Sequence, residues 1–139
     1  MDNALTKEEL EKLYDEPNIA IIGTVKTGSP HMVPVWFTYD GKHFYVATSE
    51  TQKVRNLRKD PHVTLLIASK DHRKVAVIEG SAEVYDDHGG QRIKFLASRY
   101  MPDRVTREKF VEFIMTMKRL IIKITPKKTI SWDMGKRVL

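Results

Sequence analysis

Hydroxyl and basic side chains are concentrated where an extended segment ends and a short helix is expected to begin. Residues 44–48 form an apolar, strand-like segment, and Thr51, Lys53 and Arg55 follow it within about one helical turn. The start of a helix offers backbone N–H groups without intrahelical partners and the positive end of the helix dipole, so anions bind there. A hydroxyl and two positive charges strengthen this preference. The spacing therefore predicts an anion seat of the kind that takes a phosphate group.

An extended segment that precedes it, residues 29–38, could hold the flat part of the same ligand. Its residues alternate between two faces, with His31, Val33, Val35 and Phe37 on one and Met32, Pro34, Trp36 and Thr38 on the other. Pro34 lacks an N–H, so we expect this strand at a sheet edge or a bulge. Asp40-Gly41 then favours a hairpin turn into the next strand. The hypothesis is a single ligand whose anionic tail binds at the start of the helix and whose aromatic ring lies along the hairpin.

The remaining segments predict a small, mainly β domain that positions these two pieces. A capping box at Thr6 and Glu9 predicts an N-terminal helix within residues 1–16 that Pro17 ends. Residues 87–117 read as a helical insert. Gly80 within a long strand predicts a bulge or a sharp bend, and Pro126 is expected to separate two strands. We therefore predict one α+β domain over residues 1–139, a six-stranded antiparallel barrel, closed or split, with two or three peripheral helices.

Composition and missing motifs exclude several classes of protein. The chain of 139 residues has no cysteine, so disulfides and thiolate metal sites are excluded, and its histidines lack metal-ligand spacing. Phosphate-binding P-loops and serine-hydrolase elbows are absent as well. No apolar run is long enough for a membrane helix, and the acidic N-terminus does not look like a secretory signal, so a cytoplasmic protein without a membrane partner is expected.

The net charge of +6 permits either a nucleic acid or a phosphorylated small molecule as partner. The basic residues are spread along the chain and do not form a tail. A nucleic-acid-binding barrel would bind with a steep salt dependence and carry no coloured ligand. We expect no nucleic-acid partner, because the dispersed charge equally suits solubility.

The order of motifs resembles the split-barrel flavin-binding family that includes pyridoxamine 5′-phosphate oxidase and the deazaflavin-dependent oxidoreductases. The resemblance covers residues 19–132, and four motifs carry it together: 28–37, 51–57, Asp60-Pro61 and 77–83. It implies a homodimer that binds FMN or the deazaflavin coenzyme F-420 in a groove between its subunits. It also implies an oxidoreductase whose hydride chemistry belongs to the cofactor.

The resemblance assigns roles to particular positions. Val33, Pro34, Val35, Trp36 and Phe37 would contact the ring through their backbone, and Ala47 and Thr48 would line the path to the phosphate. Thr51, Gln52 and Lys53 match the phosphate-binding position, where Gln52 replaces an arginine of the oxidase and Arg55 would compensate. Asn56 belongs to the deazaflavin pattern. Arg99, Tyr100 and Trp132 would reach the site from the second subunit.

Simpler interpretations of the same residues stay open. Lys53 and Arg55 would also suit a solvated helix face, Trp36 and Phe37 a core, and Trp132 an anchor for the tail. The sequence identifies no catalytic side chain. It leaves two functions, an oxidoreductase or a non-catalytic carrier or sensor of flavin or haem, which turnover of the reduced cofactor would separate.

Overall fold

A seven-stranded antiparallel sheet forms the body of the protein. The structure is a computed structural model that describes residues 3–137, apart from the side chain of residue 137. Its strands are β1 (Ala20–Lys26), β2 (Ser29–Val35), β3 (Thr38–Tyr39), β4 (Phe44–Thr48), β5 (His62–Ala68), β6 (Lys74–Asp86) and β7 (Leu120–Asp133). The predicted antiparallel sheet is confirmed. Its strand count was one too low, because the chain leaves the sheet at Trp36 and re-enters it as the short β3.

The strand order makes this sheet a split barrel. The order is β2-β1-β5-β6-β7-β4-β3, so β2 and β3 are the two edges. Only Trp36 and Phe37 separate the end of β2 from the start of β3. Three Cα–Cα steps span at most about 11 Å, so the sheet must curl until its edges approach each other. Pro34 lies on an edge strand, as its missing N–H predicted.

Four helices and a short C-terminal one surround the sheet. They are α1 (Lys7–Asp15), α2 (Gln52–Lys59), α3 (Gln91–Tyr100), α4 (Arg104–Ile114) and α5 (Met134–Arg137), with a 3₁₀ turn at His88–Gly90 before α3. Two or three peripheral helices were predicted, whereas the described residues form five; the short helix expected after residues 44–48 is α2, and α5 was not expected. The capping box at Thr6 and Glu9 is present. No helix within residues 3–137 is long and apolar enough to cross a membrane.

The hydrophobic core lies inside the curled sheet. Alternate residues of β1 and β5 are fully buried, among them Ile22, Leu65 and Ile67. Phe37 and Phe44 fill the space beneath α1, where Tyr14 contacts Phe44 edge-on at 4.9 Å between ring centroids. This core fixes the ends of β2 and β4, the two strands that carry the predicted site residues.

One strand, β7, runs unbroken through the position where we predicted an interruption. Pro126 does not end it but pairs with Gly80 of β6, where the register shifts in a bulge. The prediction was wrong because β4 pairs only as far as Ile124, so the missing N–H of Pro126 costs no hydrogen bond on that side. Of the two outcomes predicted at Gly80, a bulge or a sharp bend, the structure has the bulge, with Lys127 of β7 as the extra residue.

Gly80 cannot carry a side chain in this conformation. A Cβ atom at Gly80 would lie 2.2 Å from the carbonyl oxygen of Thr125. We expect Gly80→Ala to lower the free energy of unfolding by about 1–3 kcal/mol, as overpacking of a tight contact does. Urea denaturation measures the loss, and Gly23→Ala in β1 serves as a comparison because its Cβ would make only ordinary contacts, at 3.7 Å or more. Equal stability of Gly80→Ala and the wild type would contradict the tight bulge.

Candidate functional site

A cavity of about 460 Å³ lies at the split of the barrel, beside the ends of β2 and β4. Its volume is within the range of small-molecule and cofactor sites. Apolar side chains form most of the wall, and basic and hydroxyl groups lie at one end. The lining residues are Ile19, Pro34, Val35, Trp36, Ala47, Thr48, Ser49, Lys53, Ile93, Leu96, Phe110, Ile114 and Arg119.

The polar end of the cavity is built by the junction of β4 and α2. The Lys53 ammonium donates a hydrogen bond to the Thr51 hydroxyl at 3.2 Å, and Thr51 lies 3.4 Å from the Thr48 hydroxyl. Thr51 is the N-cap residue of α2, yet its side chain caps no backbone N–H, and the first turn holds no acidic residue. The start of α2 therefore keeps its preference for an anion.

The charge of Lys53 is not neutralised within the described part of the chain. No carboxylate there forms an ion pair with Lys53. Burial lowers the pKa of the Lys53 ammonium, and the positive charge of Arg119 lowers it further. A bound anion would oppose both effects, because a negative charge nearby favours the protonated ammonium.

Arg119 is a cavity residue that the sequence did not single out. It precedes β7 and is only 8% exposed. Its Nε is buried without a hydrogen-bond partner in the described structure. Burial lowers the pKa of the Arg119 guanidinium, while the negative charge of Asp87 opposes that change. An unpartnered buried donor beside Lys53 is the arrangement that an anion would complete.

The apolar wall includes Trp36, whose indole is already packed on the helical insert. It stacks on Tyr100 with ring centroids 5.0 Å apart and planes 3° from parallel, and it contacts Phe110 at 5.4 Å. The Tyr100 hydroxyl donates to the Asn18 carbonyl at 2.6 Å. The backbone of Pro34 to Trp36 thus has a fixed position at the cavity rim.

Arg99 and Tyr100 make hydrogen bonds within the chain, and their predicted contact with the site of a second subunit stays a prediction. The Arg99 guanidinium donates to the carbonyl oxygens of Tyr14, Asp15 and Glu16 at 2.6–2.9 Å, and its Nε to that of Phe37 at 3.1 Å. These bonds join α3 to the end of α1 and to the link between β2 and β3. Arg99 therefore holds the split in place.

About half of the predicted site residues lie at the cavity. Pro34, Val35, Trp36, Ala47, Thr48 and Lys53 line it, and Thr51 is hydrogen-bonded to two of them. The others do not line it: Val33, Phe37, Gln52, Arg55, Asn56 and Trp132.

The reasons for these other placements are local. Val33 packs against the core, and Phe37 is completely buried in it. Asn56 is buried under α2 and donates to the Thr24 hydroxyl at 3.0 Å. The Gln52 side chain bonds both Asn56 and Arg55. Trp132 pairs with Val75 near the opposite end of β7.

A second, larger cavity of about 660 Å³ lies on the outer face of the sheet. It is a mainly apolar groove lined by residues of β1, β2, β5, β6 and β7. A row of side chains crosses five strands there in register: Pro34, Ile21, Leu66, Val77 and Ile130. We prefer the smaller cavity as the ligand site, because its cations, Lys53 and Arg119, are half-buried and buried, whereas the lysines of the larger cavity, Lys127 and Lys128, are exposed. Among the described residues no group of three His, Asp or Glu side chains is placed to hold a metal ion.

The chain belongs to the pyridoxamine 5′-phosphate oxidase family. The family model matches residues 6–133, which include every strand and the whole cavity lining. The split barrel is therefore that of a flavin-binding family, as the resemblance implied.

Solved structures share this fold over almost the whole chain. A conserved hypothetical protein from Mycobacterium tuberculosis is 26% identical with a TM-score of 0.81, covering 100% of this chain and 92% of its own. An F420 reductase is 23% identical with a TM-score of 0.70, covering 86% of this chain and 94% of its own. A FAD-binding protein from Mesorhizobium loti is 19% identical with a TM-score of 0.66, covering 92% of this chain and 93% of its own.

Proposed function

We propose that the protein is an oxidoreductase that binds a flavin-type cofactor, FMN or coenzyme F-420, in the cavity at the split. The observation that carries the proposal is the pairing of an apolar cavity with an anion seat at the uncapped start of α2. Both cofactors join a flat aromatic ring to a phosphorylated tail. Family membership and the similarity to an F420 reductase and a FAD-binding protein support the assignment.

The residues of the chain have distinct roles in this proposal. Lys53, Thr51 and the first N–H groups of α2 bind the phosphoryl group. The rigid backbone from Pro34 to Trp36 orients the ring, and the apolar side chains of α3 and α4 exclude water from it. When bound, the cofactor supplies the hydride chemistry.

Absorption spectroscopy tests this function directly. Purified protein is titrated with FMN and with F-420, and we expect a shift of the visible band of one of them on binding. The loaded protein is then mixed with NAD(P)H, or with an F-420-reducing system. Catalytic turnover with an added electron acceptor supports an oxidoreductase, whereas tight binding without reduction or turnover would favour a carrier or sensor.

We infer that two copies of the chain associate through the outer face of the sheet. An antiparallel sheet usually places polar residues on its solvent side, but here apolar residues cross five strands. Ile130 is 46% exposed and Met32 61% exposed on this face. Pro34 belongs both to this row and to the cavity lining. A partner on the outer face would therefore lie beside the cofactor site.

Leu66 lies in the middle of this row, so its replacement tests the dimer. We expect Leu66→Glu to be monomeric at micromolar concentrations where the wild type is a dimer, because a buried unpaired carboxylate is unfavourable. Sedimentation velocity measures the change. Val105→Glu is the control, since Val105 is 60% exposed on α4, and no residue of that helix lines the larger cavity. A monomeric wild type, or a dimeric Leu66→Glu, would contradict the assignment.

A further inference from the structure

Arg119 is a buried cation whose charge is not matched by the protein around it. It is 8% exposed, and its Nε has no hydrogen-bond partner in the described structure. The nearest candidate for a partner is Asp87, but the two carboxylate oxygens of Asp87 accept hydrogen bonds from the backbone N–H groups of Arg92 and Ile93 at 2.9 and 3.0 Å. Asp87 forms no ion pair with Arg119. Its carboxylate accepts hydrogen bonds from the first turn of α3 instead.

The backbone holds Arg119 firmly at the cavity. Its carbonyl oxygen accepts a hydrogen bond from the Asp87 N–H at 3.0 Å. The next residue, Leu120, pairs with Thr48, the last residue of β4 before the turn into α2. Arg119 and Lys53 therefore line the same cavity and repel each other, which contributes to the lowered pKa of Lys53.

Two neighbouring cations without a carboxylate are an unfavourable arrangement in the free protein. Burial of an unpaired charge costs free energy, and like charges at close range add to the cost. A hydrophobic side chain in place of Arg119 would remove both costs. The arrangement becomes favourable when a ligand brings negative charge between the two cations.

We propose that Arg119 is a second protein ligand of the phosphoryl group and binds it together with Lys53 and the start of α2. A guanidinium fits this role because its planar fork can donate two parallel hydrogen bonds to phosphate oxygens. The proposal rests on the proposed function and adds a residue to that site. Lys53 and Arg119 then form an anion clamp, in which both cations bind one phosphoryl group. The negative charge of that group offsets the repulsion between them.

Pairs of ligands with and without a phosphate test this role. We expect Arg119→Met to weaken the binding of FMN roughly five- to thirty-fold, the loss being limited because the variant also relieves the repulsion of Lys53. Riboflavin, which has the same ring and no phosphate, should bind the variant and the wild type equally. The second pair is F-420 and the same deazaflavin without the phosphorylated tail. The pair in which only the phosphorylated member loses affinity for the variant identifies the coenzyme that supplies the phosphoryl group. Calorimetry measures all affinities.

The neighbouring Lys118 provides a matched control. Lys118→Met removes the same charge one residue away, but its side chain is 65% exposed and lies 3.9 Å from Asp86. We expect FMN affinity within about twofold of the wild type for this variant, because exposed charges contribute little. Arg119→Lys keeps the charge and loses the planar fork, so its affinity should fall between those of the wild type and Arg119→Met.

Thermal unfolding with inorganic phosphate gives a readout that needs no cofactor. Phosphate should raise the unfolding midpoint of the wild type and raise that of Arg119→Met much less, while Arg119→Met without phosphate should be at least as stable as the wild type. Unchanged FMN affinity in Arg119→Met, or equal losses for FMN and riboflavin, would overturn the proposal. If no flavin binds but the phosphate effect depends on Arg119, the anion clamp stands and the proposed cofactor is wrong. If phosphate stabilises both proteins equally, the clamp is wrong.

Discussion

Lys53→Ala is expected to weaken the binding of the cofactor by about 1–3 kcal/mol, the value of a charge-assisted hydrogen bond to a phosphate. The ammonium lies at the polar end of the cavity, beside the uncapped start of α2. It has no carboxylate partner that could replace the ligand within the described structure. The Lys53→Ala variant therefore loses binding energy, because water in this half-buried position does not replace the ammonium as a partner of the phosphate. Calorimetric titration with FMN and F-420 measures the loss.

Lys59→Ala is the matched control for this variant. Lys59 is an exposed residue of the last turn of the same helix, far from the N-terminal end that contacts the cavity. We expect it to change cofactor affinity by less than about 0.5 kcal/mol. Equal affinities of Lys53→Ala and Lys59→Ala would show that the phosphate lies elsewhere.

Arg99→Met is expected to lower the free energy of unfolding by about 2–4 kcal/mol, since it removes four hydrogen bonds from a charged donor to backbone carbonyls, two of them part-buried. One guanidinium bonds the carbonyl oxygens of Tyr14, Asp15 and Glu16, where α1 ends, and that of Phe37. These carbonyls belong to segments that are 20 or more residues apart. Loss of Arg99 therefore loosens both α1 and the link that closes the split. Urea denaturation measures the change.

Another arginine of the helical insert provides the comparison for Arg99. Arg104 lies at the start of α4, is 81% exposed and pairs with Glu108 at 2.9 Å. Arg104→Met should lower the free energy of unfolding by less than about 0.5 kcal/mol, because an exposed ion pair between neighbouring helical turns contributes little to stability. If Arg99→Met is no less stable than Arg104→Met, the hydrogen bonds of Arg99 do not hold the split together.

Some parts of the fold depend only on residues that are close together in the sequence, and these parts were predicted correctly. The capping box at Thr6 requires only a hydroxyl and a carboxylate three residues apart, and the edge position of Pro34 follows from its missing N–H. The bulge at Gly80 follows from a glycine within a strand. Pro126 was misjudged for the converse reason, because the cost of its missing N–H depends on which strand lies beside it.

The anion seat shows where sequence reasoning stops. Thr51 and Lys53 were found because a hydroxyl and a base at a helix start are neighbours in the chain. Arg119 was missed because 66 residues separate it from Lys53. Only the pairing of Thr48 with Leu120 brings the two cations together. A base at the start of a strand is an ordinary feature until that pairing is known.

Residue type was also a poor guide to which neighbouring side chains reach the cavity. Asn56 lies one turn beyond Gln52 on α2, and the helical period turns it towards Thr24 and the sheet. Trp36 was expected at the ligand site through its backbone, and its indole stacks on Tyr100 of the helical insert. The partner of an aromatic ring depends on the packing of the helical insert, which spacing in the sequence does not reveal.

Calorimetric titration of the wild-type protein with FMN and with F-420 tests the central claim, that the cavity at the split binds a phosphorylated flavin-type cofactor. We predict heat of binding at micromolar concentrations for one of the two coenzymes, with one ligand bound per chain. The absence of heat with both coenzymes under those conditions would contradict the claim.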